Sequence, residues 1–394
     1  MLDSSSTLGS PLTASGNSQR SLRKRRARAT GFAAAIAACC WSAQAIAQDT
    51  THAAHPAAAP APTPTYLLTP SPVINMRFFP PTPALSGYVS VRMTHTDGAT
   101  GFLLNRGRLT LQIGPKPFLG LKIQGDFSGA QTGKLRSDST VAGFSLTDAY
   151  IELVPPPEWS PVGSVLAQLR PALVAGQFKT PYSLEYLTSF ATLKTAERSQ
   201  AVDRLSQKRD IGAMAQVGWG RFATLSGAVV NGEGANATSN PDKAQMLMTR
   251  LTITPIPILE LSAKIANEGA DHAWGYDGRA LWRGLTIEGE GLYRKRPTSS
   301  TTHLDAGGGY ALVAYKIFPW LEPVYKYDRY WDTRMTTTGT TITTASTHST
   351  WNVFGVNLLT SPEWLRLQLD WERRNVDSAA GRSNVYIAQL LAIF

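Results

Sequence analysis

Cysteine is nearly missing from this chain: there are two in 394 residues, adjacent at Cys39 and Cys40. A disulfide framework is therefore excluded. Histidine is scarce as well, with six residues, none of them at the i, i+4 spacing of a helical metal-binding pair. His52 and His55 stand near the start, and the other four fall in or beside segments that read as loops. No serine or paired acid has a histidine held near it in a readable pattern, so no enzyme, metal or cofactor is expected. Long apolar runs are also lacking: beyond the first residues there is no stretch of about 20 uncharged apolar residues, which excludes a helical membrane protein. Strong charge is the last absence, although the formal +10 suggests otherwise. Residues 1–47 hold six of the 38 basic and one of the 28 acidic residues, so the remainder has 32 against 27, about +5. That gives no reason to invoke nucleic acid.

What is present begins with an export signal. Arg23, Lys24, Arg25, Arg26 and Arg28 precede an apolar segment from Gly31 to Trp41, then Ala45-Ile46-Ala47 before Gln48. This places a signal peptide over residues 1–47 and removes both cysteines with it. A competing reading is lipidation at Cys39, since Ile36-Ala37-Ala38-Cys39 is similar to a lipoprotein cleavage box. Residues 48–84 follow as an Ala/Pro/Thr-rich lead, too poor in burial for a packed fold and expected to be extended and solvated in the periplasm.

From Leu85 the chain breaks into segments of about ten residues with period-two patterning, the length of a tilted strand crossing a bilayer. In the first, Leu85, Val89, Val91 and Met93 alternate with Ser86, Tyr88, Ser90 and Arg92. In a later one, Leu365, Leu367, Leu369 and Trp371 alternate with Arg366, Gln368, Asp370 and Glu372. The last runs through Tyr386, Ala388, Leu390 and Ala392 to a terminal Phe394, the ending expected of a strand that closes an outer-membrane barrel. About sixteen segments can be set out: 85–95, 101–113, 117–128, 144–154, 165–178, 208–218, 221–230, 244–254, 258–267, 274–283, 285–295, 305–317, 320–331, 350–359, 364–374 and 383–394. Short connections alternate with long polar ones, such as Asn231 to Lys243 and Asp332 to Ser349, as periplasmic turns alternate with surface loops. Trp219, Trp282, Trp320 and Trp364 fall near the short turns, which suits an interfacial girdle. The expected fold is all-β: a 16-stranded antiparallel transmembrane barrel spanning residues 85–394 in the bacterial outer membrane, with lipid as its surroundings.

The longest connection, Lys179 to Gln207, has a different texture: Leu184, Leu187 and Ala191 precede Lys194-Thr195-Ala196-Glu197-Arg198, a mixture more helical than extended. Around it lie Gly176-Gln177-Phe178-Lys179-Thr180-Pro181-Tyr182-Ser183-Leu184-Glu185 and Lys208-Arg209-Asp210-Ile211-Gly212. With Arg106-Gly107-Arg108-Leu109, Gln124-Gly125-Asp126-Phe127 and Thr147-Asp148-Ala149-Tyr150, these resemble the phosphate-selective porin O and P family. The resemblance covers residues 101–232. It implies a homotrimeric outer-membrane channel whose third surface loop folds inward, where arginine and lysine draw anions into a narrow zone.

The candidate anion-binding residues are Arg106, Arg108 and Lys122 from the wall, with Lys179, Lys194 and Arg198 from the loop. Each could instead be ion-paired, for Glu197 adjoins Arg198, Asp126 shares a face with Lys122, and Glu185 and Asp203 lie in the loop. Glu260, Glu288, Glu290, Glu322, Asp328, Asp370 and Glu372 fall in lumen rows and would weaken a positive pathway. The function expected is passive diffusion of small anions, with phosphate as the family's substrate. The alternatives are a non-selective small-solute porin and a plugged structural or adhesive barrel presenting the threonine-rich segment Met335 to Ser349. Lys194→Glu and Arg198→Glu are both expected to reduce anion preference.

Overall fold

The structure, a computed structural model, describes residues 79–96, 98–116, 118–128, 144–155, 169, 171–237, 239–377 and 381–394. The expected signal peptide, residues 1–47, and residues 48–78 of the expected lead lie outside them.

Sixteen strands form one closed antiparallel barrel: β1 (Ala84–Thr96), β2 (Ala99–Lys116), β3 (Leu119–Asp126), β4 (Ser145–Leu153), β5 (Ala172–Lys179), β6 (Arg209–Trp219), β7 (Ala223–Val230), β8 (Met246–Ile256), β9 (Leu259–Glu268), β10 (Asp271–Trp282), β11 (Leu285–Pro297), β12 (Thr302–Tyr315), β13 (Leu321–Thr338), β14 (Thr341–Leu359), β15 (Leu365–Val376) and β16 (Arg382–Ile393). Each pairs with its sequence neighbours, and β1 pairs with β16, so no strand is left with an open edge along the wall. Among the described residues no helix is long and apolar enough to cross a membrane.

Period-two patterning puts the two rows on opposite faces, and their burial is the reverse of a water-soluble protein's. In β8, Leu247, Leu251 and Ile253 are exposed, while Arg250, Thr252 and Thr254 are buried. In β15, Arg366, Gln368, Asp370 and Glu372 are buried while Trp371 is exposed. An outer surface of this kind, carrying Leu85, Ile123, Leu173, Ile265, Tyr276 and Phe354 among many exposed apolar side chains, suits hydrocarbon and is untenable in water. Trp219, Trp282, Trp320 and Trp364 are exposed beside their turns, as the girdle requires.

Closure depends on one small residue. The backbones of Gly87 and Phe394 exchange hydrogen bonds of 2.9 and 3.0 Å, and a Cβ on Gly87 would meet the Arg108 carbonyl oxygen and come within 2.7 Å of the Phe394 ring. Gly87→Val should therefore overpack the seam, at a cost of about 1–3 kcal/mol. The expected result is a smaller folded fraction on refolding into detergent, read as heat-modifiable gel mobility; a yield equal to the parent's would contradict it.

Two sequence expectations need correction. Asp332 to Ser349 is not a loop: β13 and β14 stay paired out to Thr338 and Thr341, so the threonine-rich segment is a long hairpin turning at 339–340. Threonine's β-branch favours the extended state that its polarity hid. The described part of the fifth strand begins at Ala172, and its expected start near 165 lies outside the described residues. Strands β9 and β10 are joined by only residues 269–270, a tight turn on the side where long loops were expected.

A buried apolar cluster joins the connection after β5 to the wall. Phe178, Tyr182, Tyr186, Ala201, Val202 and Leu205, from the end of β5 and the connection after it, pack on wall residues including Met214, Met248, Leu292, Tyr310, Val324 and Tyr330.

Candidate functional site

The connection between β5 and β6, residues 180–208, holds helix α1 (Leu184–Leu187), a 3-10 turn (Phe190–Thr192) and helix α2 (Gln200–Leu205). Serine starts each piece: the side chains of Ser183, Ser189 and Ser199 accept from the backbone N–H groups of Tyr186, Ala191 and Ala201. An irregular segment needs partners for its buried backbone groups. Here side chains of the wall strands supply several of them.

Glu290 of β11 accepts from Ser183 Oγ at 2.9 Å and from the N–H groups of Leu184 and Glu185, both at 3.2 Å. Asp328 of β13 does the same for α2, accepting from Ser199 Oγ at 2.9 Å and the Gln200 N–H at 2.8 Å. Asp370 of β15 accepts from the Ala196 N–H at 2.7 Å. Donors from the wall meet loop carbonyls: Arg366 and Gln368 reach Leu193, Asn357 reaches Lys194, and Lys326 reaches Glu197. Carboxylates at helix starts also suit the positive end of the peptide dipoles. Among the lumen acids, Glu290, Asp328 and Asp370 thus hold the loop, Glu322 pairs with Lys194, Glu372 with Arg374 and Glu260 with Arg279.

The six candidate cations divide into two groups. Arg108 pairs with Asp126 at 2.9 Å, Lys122 with Asp148 at 2.8 Å, and Lys194 with Glu322 at 2.6 Å. Arg106, Lys179 and Arg198 have no carboxylate partner among the described residues. Arg106 donates to the carbonyl and side chain of Asn105, which a bulge in the β1–β2 pairing adds to the wall. Lys179, which ends β5 instead of lying in the loop, donates to the Leu187 and Thr188 carbonyls at 2.9 and 3.3 Å. Arg198 donates to the Glu185 and Thr188 carbonyls, both at 3.2 Å. The pairings suggested by sequence proximity do not form: Glu197 bonds Arg92, Asp126 bonds Arg108, and Glu185 bonds Lys326. Neighbours in sequence point to different walls.

Aromatic rings interleave these cations. Tyr186 has Arg198 at 4.8 Å, Arg209 at 5.5 Å and Lys179 at 5.8 Å from its centroid. Phe190 has Arg106 at 5.0 Å and stacks on Tyr88, whose ring lies 5.8 Å from Arg108. Each such contact contributes about 0.5–2 kcal/mol, enough to separate like charges by a polarizable face. Arg209 was not among the sequence candidates, yet it joins the centre through Asp148 at 2.7 Å and the Tyr186 hydroxyl at 2.7 Å. Its place in the Lys208-Arg209-Asp210 signature was the available signal; Tyr186 and Phe190 had none. The result is Arg106, Arg108, Lys122, Lys179, Arg198 and Arg209 gathered against Asp126 and Asp148. Beside it opens a cavity of about 480 Å³ lined by Arg106, Tyr186, Arg198 and Arg209.

Comparison with known proteins agrees with this architecture. The family model described as phosphate-selective porin O and P matches residues 116–259. No curated protein sequence matches the chain. Among solved structures, the chain is similar to the trimer form of OmpT from Vibrio cholerae (TM-score 0.54, 10% identity, 79% of this chain and 99% of that one). It is also similar to the outer-membrane channel DcaP of Acinetobacter baumannii (0.53, 13%, 79% and 97%) and to Salmonella typhi OmpF in complex with daunomycin (0.55, 10%, 79% and 97%). At such identities the likeness establishes the fold. Taken together with the closed barrel and its apolar exterior, these matches make the chain a sixteen-strand outer-membrane barrel of the porin type whose residues 116–259 match the model of the phosphate-selective porin O and P family.

Proposed function

We propose that the chain is a passive channel with a preference for small anions, phosphate among them, working as a homotrimer in membrane lipid. The observation that carries this reading is the imbalance of the basic centre: among the described residues its six cations form ion pairs with only two carboxylates, Asp126 and Asp148, and Arg106, Lys179 and Arg198 form none. In a narrow pore of low effective dielectric, guanidinium and ammonium donors replace part of the water that an anion sheds. Of the acids that sequence reading set against this, Glu290, Asp328 and Asp370 hold loop N–H groups, and Glu260, Glu322 and Glu372 are paired with their own cations. The loop's bonds to β11, β13 and β15 support its inward course and its role in narrowing the passage. The trimer form of a structural neighbour supports the oligomer.

No catalysis is part of this reading: hydrolytic turnover by the purified channel should equal that of a heat-inactivated control. The deciding measurement is the reversal potential of the protein in a planar bilayer under a potassium chloride gradient, followed by titration of the chloride current with phosphate. Chloride preference with block by phosphate is the expected outcome. Equal permeability of both ions would assign a non-selective porin instead.

A further inference from the structure

The cavity beside the basic centre is lined by two kinds of side chain. Arg106, Arg198 and Arg209 are charged donors, and Thr147, Ser206 and Gln207 are uncharged polar residues. Asp203, the single carboxylate among the lining residues, pairs with Lys208 at 3.0 Å. Arg106, Arg198 and Arg209 therefore bring three guanidinium groups to a cavity whose single carboxylate is already paired with Lys208.

The uncharged residues offer the opposite. Ser206 Oγ donates to the Val202 carbonyl at 2.6 Å, and Thr147 Oγ1 donates to the Gln124 carbonyl at 3.0 Å. The Gln207 amide nitrogen donates to Asp210 Oδ2 at 2.7 Å and the Gly232 carbonyl at 3.0 Å. With their protons committed, the two hydroxyls and the Gln207 carbonyl oxygen are left as acceptors. A solute that matches this cavity has an anionic head for the guanidinium groups and several hydroxyl donors for the uncharged acceptors. Inorganic phosphate meets the first requirement but offers only the one or two hydroxyls of its own head. Size points the same way, because about 480 Å³ falls within the ~300–1,000 Å³ of sites that enclose organic molecules, while a water's share of liquid volume is only about 30 Å³.

We infer that the solute this site takes preferentially is an organic anion with a polyhydroxylated body, of the sugar phosphate type, ahead of inorganic phosphate. The inference rests on the anion-channel reading above and sharpens it. Unpaired polar groups make such a site discriminate, since the solute lacking the hydroxyls leaves the acceptors to water.

The test is block of chloride current through the full-length channel in planar bilayers. Glucose 6-phosphate is compared with inorganic phosphate, and gluconate with acetate, so that body and head vary separately. Glucose 6-phosphate should half-block at about tenfold lower concentration than phosphate, and Gln207→Leu should narrow that gap about threefold. A gluconate advantage over acetate would extend the preference to carboxylate heads; an advantage for glucose 6-phosphate alone would restrict it to phosphate heads, and either supports the inference. An anion-preferring channel blocked equally well by phosphate and glucose 6-phosphate, or better by phosphate, would overturn the inference and leave the anion reading intact. A channel without anion preference would overturn that reading itself.

Discussion

Arg198→Glu will pull the channel's reversal potential toward cation preference. The side chain is buried, stacked on Tyr186 and held by two loop carbonyls, with no acid among the described residues to share its charge. Reversal removes one cation and adds one anion. At ~8 Å from a passing ion and an effective dielectric of about 40, each unit is worth about 1 kcal/mol, so the two together disfavour an anion about thirtyfold and favour a cation by a similar factor at low salt. At physiological ionic strength, where the screening length is about 8 Å, the change shrinks to a few-fold. Lys194→Glu is the informative comparison, because sequence alone ranks the two substitutions together. Lys194 lies 2.6 Å from Glu322, so its reversal sets two carboxylates side by side and acts on the seat of the loop before it acts on the pore charge. Bilayer recordings at two salt concentrations check the ranking. A ratio unmoved by Arg198→Glu at low salt would remove this residue from the pathway.

Glu290→Ala is expected to unseat the first half of the loop. One carboxylate holds Ser183 and the first two N–H groups of α1, and it also meets Lys264, whose remaining acidic partner is Asp277 at 2.5 Å. Breaking one side of such a buried ionic group costs about 3–5 kcal/mol, because the Ser183 hydroxyl and two backbone N–H groups lose their acceptor and Lys264 loses one of its two carboxylates. The wall itself is carried by sixteen paired strands, so the barrel should still assemble while the loop loosens. The expected record is a broader, flickering conductance with a raised mean, and a lower midpoint for the first thermal transition in detergent. Glu290→Gln keeps the acceptor oxygen without the charge and should fall between. Glu260→Ala serves as the control, since its partner is Arg279 on the neighbouring strand. A conductance histogram for Glu290→Ala that overlays the parent's would show that the loop does not depend on this anchor.

Much of the architecture was legible because a barrel wall writes itself locally. Leu247, Leu251 and Ile253 alternate with Arg250, Thr252 and Thr254 whatever the rest of the chain does, and Phe394 marks the end of the closing strand. The threonine-rich hairpin at 333–349 was misread because the same residues that make a polar loop also favour extended pairing once a partner strand exists. At the site, side-chain type was legible and company was not. Glu197 stands next to Arg198 in sequence but bonds Arg92, 105 positions away. Glu185 stands in the loop but bonds Lys326 on β13.

By itself the sequence determined strand number, the direction each row faces, the position of the one long loop that differs in character, and the supply of cations around it. These follow from spacing, since period-two alternation and turn length are properties of neighbouring residues. Only the tertiary structure decided which cations keep their charge available and which acids lose theirs to the loop. Such outcomes depend on pairs over a hundred residues apart, such as Ser199 with Asp328 and Lys194 with Glu322, that meet only when a closed cylinder brings its far walls to one segment of chain.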